Sequence, residues 1–185
     1  MIDRRTLLEA LVGIALVPAA LARAQTPPAR SALDPTLARA LASSAYVYVS
    51  PLLRDGAESS CHAEVWFGWI DGAVVVISAA TTWKARSVAR GLTRARLWVG
   101  DYGRWKQMIG RNEAFRAGPS CVARASLVRS DGVLDELLAS YEKKYPGEIG
   151  AWRDKMRAGV RDSSRVLIRY APEAPPAGAA GAART

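Results

Sequence analysis

Histidine is nearly absent from this 185-residue chain: His62 stands alone, beside two cysteines (Cys61 and Cys121), two phenylalanines and three methionines. One imidazole and two thiols cannot close a structural zinc site without carboxylates, and their spacing suggests none. The chain shows no Ser-His-Asp set, no paired-acid site and no phosphate-binding glycine loop. Basic residues exceed acids, 26 Lys plus Arg against 17 Asp plus Glu, for a formal net charge of +9. They form no run of about five like charges and carry no nucleic-acid motif, so the excess marks a basic protein with no nucleic-acid partner. There is no internal repeat, and no uninterrupted apolar run of about 20 residues that would span a bilayer.

What the chain does have begins with an export signal. Arg4-Arg5-Thr6-Leu7-Leu8 precedes an apolar run to Ala22, interrupted by Gly13 and Pro18, and Ala22-Arg23-Ala24 supplies an A-x-A cleavage site. The arginine pair followed by two leucines resembles a twin-arginine signal, a route that carries folded proteins, often with a cofactor already bound. Ordinary Sec export is the alternative. No cysteine follows the apolar run, so the expectation is a periplasmic or secreted protein with no stable membrane anchor after residues 1–24 are removed. Removal takes three Arg and two acids, leaving +8. In that compartment Cys61 and Cys121 either pair or remain two buried thiols.

Residues 25–32 read as a Pro-containing spacer, 33–172 as one domain, and 173–185, rich in Pro, Ala and Gly, as a disordered tail. Asp34-Pro35 opens a helix to about Ser43, with Asp as the cap and Pro in the first turn. Tyr46–Ser50 alternates as a strand. The run from Cys61 reads as one strand leading to a tight turn at Asp71-Gly72 and a partner strand over Ala73–Ala79. It sets Cys61, Ala63, Val65 and Phe67 on one face and His62, Glu64 and Trp66 on the other. A basic helix over Thr82–Gly91 follows, then strands over Ala95–Asp101 and Ser120–Arg129. A helix from Asp131 stops before Pro146, a shorter one covers Glu148–Arg157, and Arg165–Tyr170 closes the domain. The predicted class is mainly β with α (α+β), an antiparallel barrel with peripheral helices.

At the end of the hairpin, Ser78, Thr81 and Thr82 lead into Lys84, Arg86 and Arg90 as a helix opens. Hydroxyls, a cation and helix-start donors together suit a phosphate group. The plainer account is a solvated basic helix face.

Val65-Trp66-Phe67, then Ile77-Ser78 and Thr82-Trp83-Lys84-Ala85-Arg86, followed in order by Leu97-Trp98-Val99-Gly100, Lys144-Tyr145-Pro146 and Val166-Leu167-Ile168-Arg169, resemble the FMN-binding split-barrel family that includes pyridoxamine 5'-phosphate oxidase. The similarity spans roughly residues 40–172. It implies a split β-barrel that forms a homodimer with FMN at the subunit interface and oxidises a small-molecule substrate. It also implies that Val65, Trp66 and Phe67 lie along the flavin with His62 near the start of that segment. Ile77 and Ser78 would sit on the next strand, and Thr82, Trp83, Lys84 and Arg86 around the phosphate, with Lys84 as its ligand. Family members usually carry Arg immediately before that Lys, whereas this chain has Trp83, leaving Arg86 to compensate. True pyridoxamine-phosphate oxidases also hold the substrate phosphate with an Arg and a His near the C-terminus. Here Arg161, Arg165 and Arg169 occur but no His follows residue 62, so a true oxidase of that substrate is not expected. A deazaflavin is an alternative cofactor on the same scaffold. A non-enzymatic haem-binding barrel with His62 as axial ligand is the alternative class.

Overall fold

The computed structural model describes residues 33–104 and 110–174. The readings of 1–24 as a signal, of 25–32 as a spacer and of most of the tail lie outside the described residues. Asp34 caps the first helix, α1 (Pro35–Ser43), accepting from the backbone N–H groups of Thr36 (2.8 Å) and Leu37 (3.1 Å). The remaining elements follow in order: β1 (Tyr46–Pro51), β2 (Ala63–Trp66), β3 (Gly68–Ile70), β4 (Ala73–Ala79), α2 (Trp83–Ala89), β5 (Arg94–Val99), β6 (Ser120–Val128), α3 (Asp131–Lys144), α4 (Arg153–Arg161) and β7 (Arg165–Pro172). Short 3-10 turns cover Ala114–Ala117 and Ile149–Ala151.

All strand pairings are antiparallel, in the order β2-β1-β5-β6-β7-β4-β3. The two ends of this sheet are consecutive in sequence, joined only through Phe67. The stretch expected as one strand is therefore two. β2 pairs with β1, the chain turns at Phe67, and β3 pairs with β4, curling the sheet into a nearly closed barrel. The β3–β4 turn is the expected one, with both Asp71 (φ 48°) and Gly72 (φ 70°) in the left-handed region that matches the twist of a hairpin.

Alternate residues point into the barrel, where Val47, Val49, Phe67, Val74, Val76, Leu97, Val99, Ile168 and Tyr170 meet Leu37 and Leu41 of α1 and Ala85 of α2. Outside, Leu134, Leu137, Leu138 and Tyr141 of α3 cover Ile70, Val75 and Leu167. The approach is close: a Cβ at Gly68 would lie 2.7 Å from Leu137 Cδ1, so a larger residue on β3 would require the Leu137 side chain to move. The helix expected over Glu148–Arg157 is displaced. Tyr145 O accepts from the N–H groups of both Glu148 and Ile149, and a 3-10 turn precedes a helix that begins at Arg153. At the other end of β7, Glu173 N–H still donates to Val122 O at 2.9 Å, and its carboxylate meets Arg94 (2.8 Å) and Arg124 (3.4 Å).

Phe67 is fully buried; its N–H donates to Tyr145 Oη at 3.3 Å, while Tyr145 itself donates to Ala45 O. Lys144 Nζ stands 3.5 Å from the centre of the Phe67 ring and donates to Ser44 O at 3.2 Å. Both contacts favour the ammonium, but burial outweighs them and pushes it down to about 8 from the ordinary 10.5. Above about 8 the folded chain has released this proton while the unfolded chain still binds it, so the Lys144 contribution to stability rises with pH from about 8 towards 10. Denaturant titrations across that window should show Lys144→Met losing this rise relative to the parent. Parallel curves for the two proteins would refute the assignment.

Candidate functional site

The corner between β4 and α2 is held by its own hydroxyls. Thr82 Oγ1 donates to Ala79 O (2.9 Å) and accepts from Ala85 N–H (3.4 Å), capping α2, while Ser78 Oγ lies 2.8 Å from the same oxygen. Ser78 is buried and Thr82 half-buried, so both set the path of the chain into the helix. Lys84 comes next, on the first turn of α2. It is half-buried and makes no ion pair among the described residues, and burial holds its ammonium below the usual lysine range. Cys61 is within electrostatic reach and acts in the opposite sense. Trp83 lines a cleft of about 340 Å³ with Leu53, Ser59, Ser60 and Cys61. Arg86 is exposed in the last turn of α2.

The other sequence-derived site residues fall in two further neighbourhoods. His62 packs edge-on to Trp98 (6.2 Å between centroids, 72°) and against Phe115 (5.7 Å). Its Nε2 lies 3.2 Å from Arg116 Nη2, and Arg116 in turn binds Glu58 at 2.8 Å and Glu113. Burial, with Arg116 next in weight, lowers the His62 pKa and keeps the ring neutral. Trp66 stacks on Tyr145 (4.3 Å, 9°) and meets the edge of Tyr141, whose hydroxyl donates to Trp66 O at 2.9 Å. Val65 and Phe67 belong to the barrel interior, and Ile77 packs under α3. The face carrying His62 and Trp66 is thus covered at both ends by this chain's own residues.

The structure brings Ser78, Thr82, Trp83 and Lys84 together with Cys61, which sequence reasoning treated only as a core or disulfide residue. Both cysteines are free thiols, and burial raises the Cys121 pKa to about 11. Sequence reasoning also missed Arg116 and Lys144. Arg116 reaches Glu58 and His62 across more than fifty residues and Lys144 reaches Ser44 across a hundred, and no local pattern signals these contacts. Among the described residues no cluster of His, Cys, Asp or Glu is arranged to hold a metal ion, and no helix is long and apolar enough to cross a membrane.

No protein-family model and no curated protein matches the chain. Solved structures do. A conserved hypothetical protein from Mycobacterium tuberculosis is 18% identical with a TM-score of 0.51, over 80% of this chain and 86% of the other. The haem storage protein HutZ from Vibrio cholerae is 14% identical, also with a TM-score of 0.51, over 77% of this chain and 92% of its own. At these identities the likeness is one of fold. With the strand order above, the chain is a split barrel, an α+β fold with four helices around seven strands among the described residues.

Proposed function

We propose that the chain is an exported, FMN-dependent split-barrel oxidoreductase that acts on a small-molecule substrate as a two-fold dimer. The observation that carries this reading is Lys84, a desolvated cation with no carboxylate partner among the described residues, beside a cleft walled by Trp83 and Cys61. A buried charge without a partner is costly, and a bound phosphate removes that cost. The fit is partial, because Ser78 and Thr82 hydroxyls are engaged with each other and with the backbone. They hold the corner that presents Lys84, while Lys84 itself anchors the phosphate and Trp83 flanks the cleft. When bound, the flavin supplies hydride or electron transfer; the protein contributes binding and orientation.

A second reading, a haem-binding barrel, has two observations in its favour. His62 is held neutral, the form that ligates iron, and HutZ shares the fold and is by name a haem storage protein. Against it, Arg116 stands at hydrogen-bonding distance from His62 Nε2 and would have to turn away for that nitrogen to bind iron. The absorption spectrum of the protein isolated from the periplasm of its host separates the two. Two flavin bands, or their appearance on adding FMN, are expected. A Soret band would transfer the assignment to haem, a single deazaflavin band would replace the cofactor, and no chromophore with no FMN uptake would overturn the proposal.

A further inference from the structure

We infer that the cleft where the start of α3, the end of α4 and the start of β7 meet is a second ligand site, and that it takes a small phosphate monoester carrying an apolar group. The inference goes beyond the flavin reading and does not rest on it. The cleft has a volume of about 430 Å³ and is lined by three arginines, Arg129, Arg161 and Arg165. It shares no lining residue with the cleft beside Trp83.

Charge and shape point to the occupant. Neighbouring cations on α4 have acid partners on α3: Arg153 binds Glu142 and Arg157 binds Asp135, each at 2.7 Å. The three cleft arginines make no ion pair among the described residues. One lining carboxylate, Asp131, stands against them. Three cations against one acid leave +2, which complements a phosphate monoester with its charge of about −2 at neutral pH. Guanidinium groups suit its oxygens because each can donate two parallel hydrogen bonds. Arg165 is held ready for this. Its stem lies against Gly159, where a Cβ would stand 2.7 Å from Arg165 Cδ, and its Cζ is 5.9 Å from the centre of the Trp152 ring. Val128, Val160 and Val166 are half-buried on the same walls and offer apolar surface to the rest of the ligand. Ser163, just past the end of α4, has φ 63°, a conformation glycine ordinarily supplies there. A serine accepts that strain and adds a hydroxyl to the cleft lining.

Calorimetric titration of the full chain with phenyl phosphate, at fixed ionic strength, tests the site. Saturable binding of one molecule per chain is expected. Arg129→Gln and Arg161→Gln alter exposed residues that have no ion pair to break, so both variants should fold as the parent does. Each should bind phenyl phosphate about tenfold more weakly, while Lys84→Ala should bind it unchanged. Inorganic phosphate, which has no apolar group, should bind more weakly than phenyl phosphate. An absence of saturable binding, or unchanged affinity in either arginine variant, would overturn the inference. So would loss of binding in Lys84→Ala, which would put the anion in the corner assigned to the flavin. Equal affinity for inorganic and phenyl phosphate would overturn the assigned class of ligand. None of these readings needs flavin, so a chain that takes up no FMN would end the cofactor proposal and leave this test in force.

Discussion

Replacing Phe67 by alanine is expected to remove about 3–5 kcal/mol of stability, a drop of roughly 10 °C or more in melting temperature. Phe67 is the single residue between β2 and β3, the two edges of the sheet, and it has no exposed surface. Its ring faces the barrel interior and lies under Lys144, so truncation opens a void and strips the half-buried ammonium of its aromatic face. The cavity cannot close easily, because the chain on either side is tied into different partners: Trp66 opposite Tyr46, and Gly68 opposite Val75. Thermal and denaturant unfolding followed by tryptophan fluorescence measure the loss. Phe67→Leu is the control, retaining most of the volume and losing the ring, and it should fall between the two. A loss below about 1 kcal/mol for Phe67→Ala would mean that Phe67 is not what holds the two edges of the barrel together.

Legibility from sequence followed locality. The Asp71-Gly72 turn, the Asp34 cap and the stop of α3 before Pro146 depend on interactions within a few residues, and all were readable. The switch at Phe67 was not. Alternation from Cys61 onwards sorts residues into faces but does not say which strand pairs with which, and two successive short strands with different partners keep the same alternation. The start of α4 was missed for a related reason, since no side-chain cap marks it at Trp152. At the site, the hydroxyl-rich lead into Lys84 was visible as a pattern, yet the hydroxyls proved to be engaged in the corner itself. Trp83 of α2, which lines the cleft with Cys61, comes from about twenty residues further along, and only the folded barrel brings the two together. Likewise Arg116 reaches Glu58 and His62 across more than fifty residues.

Lys84→Ala is expected to weaken FMN binding by roughly 10- to 100-fold, the loss of one charge-assisted hydrogen bond of about 1.5–3 kcal/mol. Riboflavin, which lacks the phosphate, should lose far less, and that difference separates a phosphate contact from general damage to the corner. The flavin-free variant should fold at least as well as the parent. Lys84 is a half-buried cation with no ion pair among the described residues, so its removal deletes a desolvation cost while Thr82 continues to cap α2. Arg86→Ala serves as the comparison. Its guanidinium is exposed in the last turn of the same helix, away from the first-turn position of Lys84, and its loss should shift FMN affinity by no more than about threefold. Titration of both variants with both ligands, monitored by flavin fluorescence, decides the matter. A larger loss for Arg86→Ala would show that Arg86 has taken over the role of the arginine that Trp83 replaces. Equal losses of FMN and riboflavin in Lys84→Ala would place the phosphate elsewhere on the barrel.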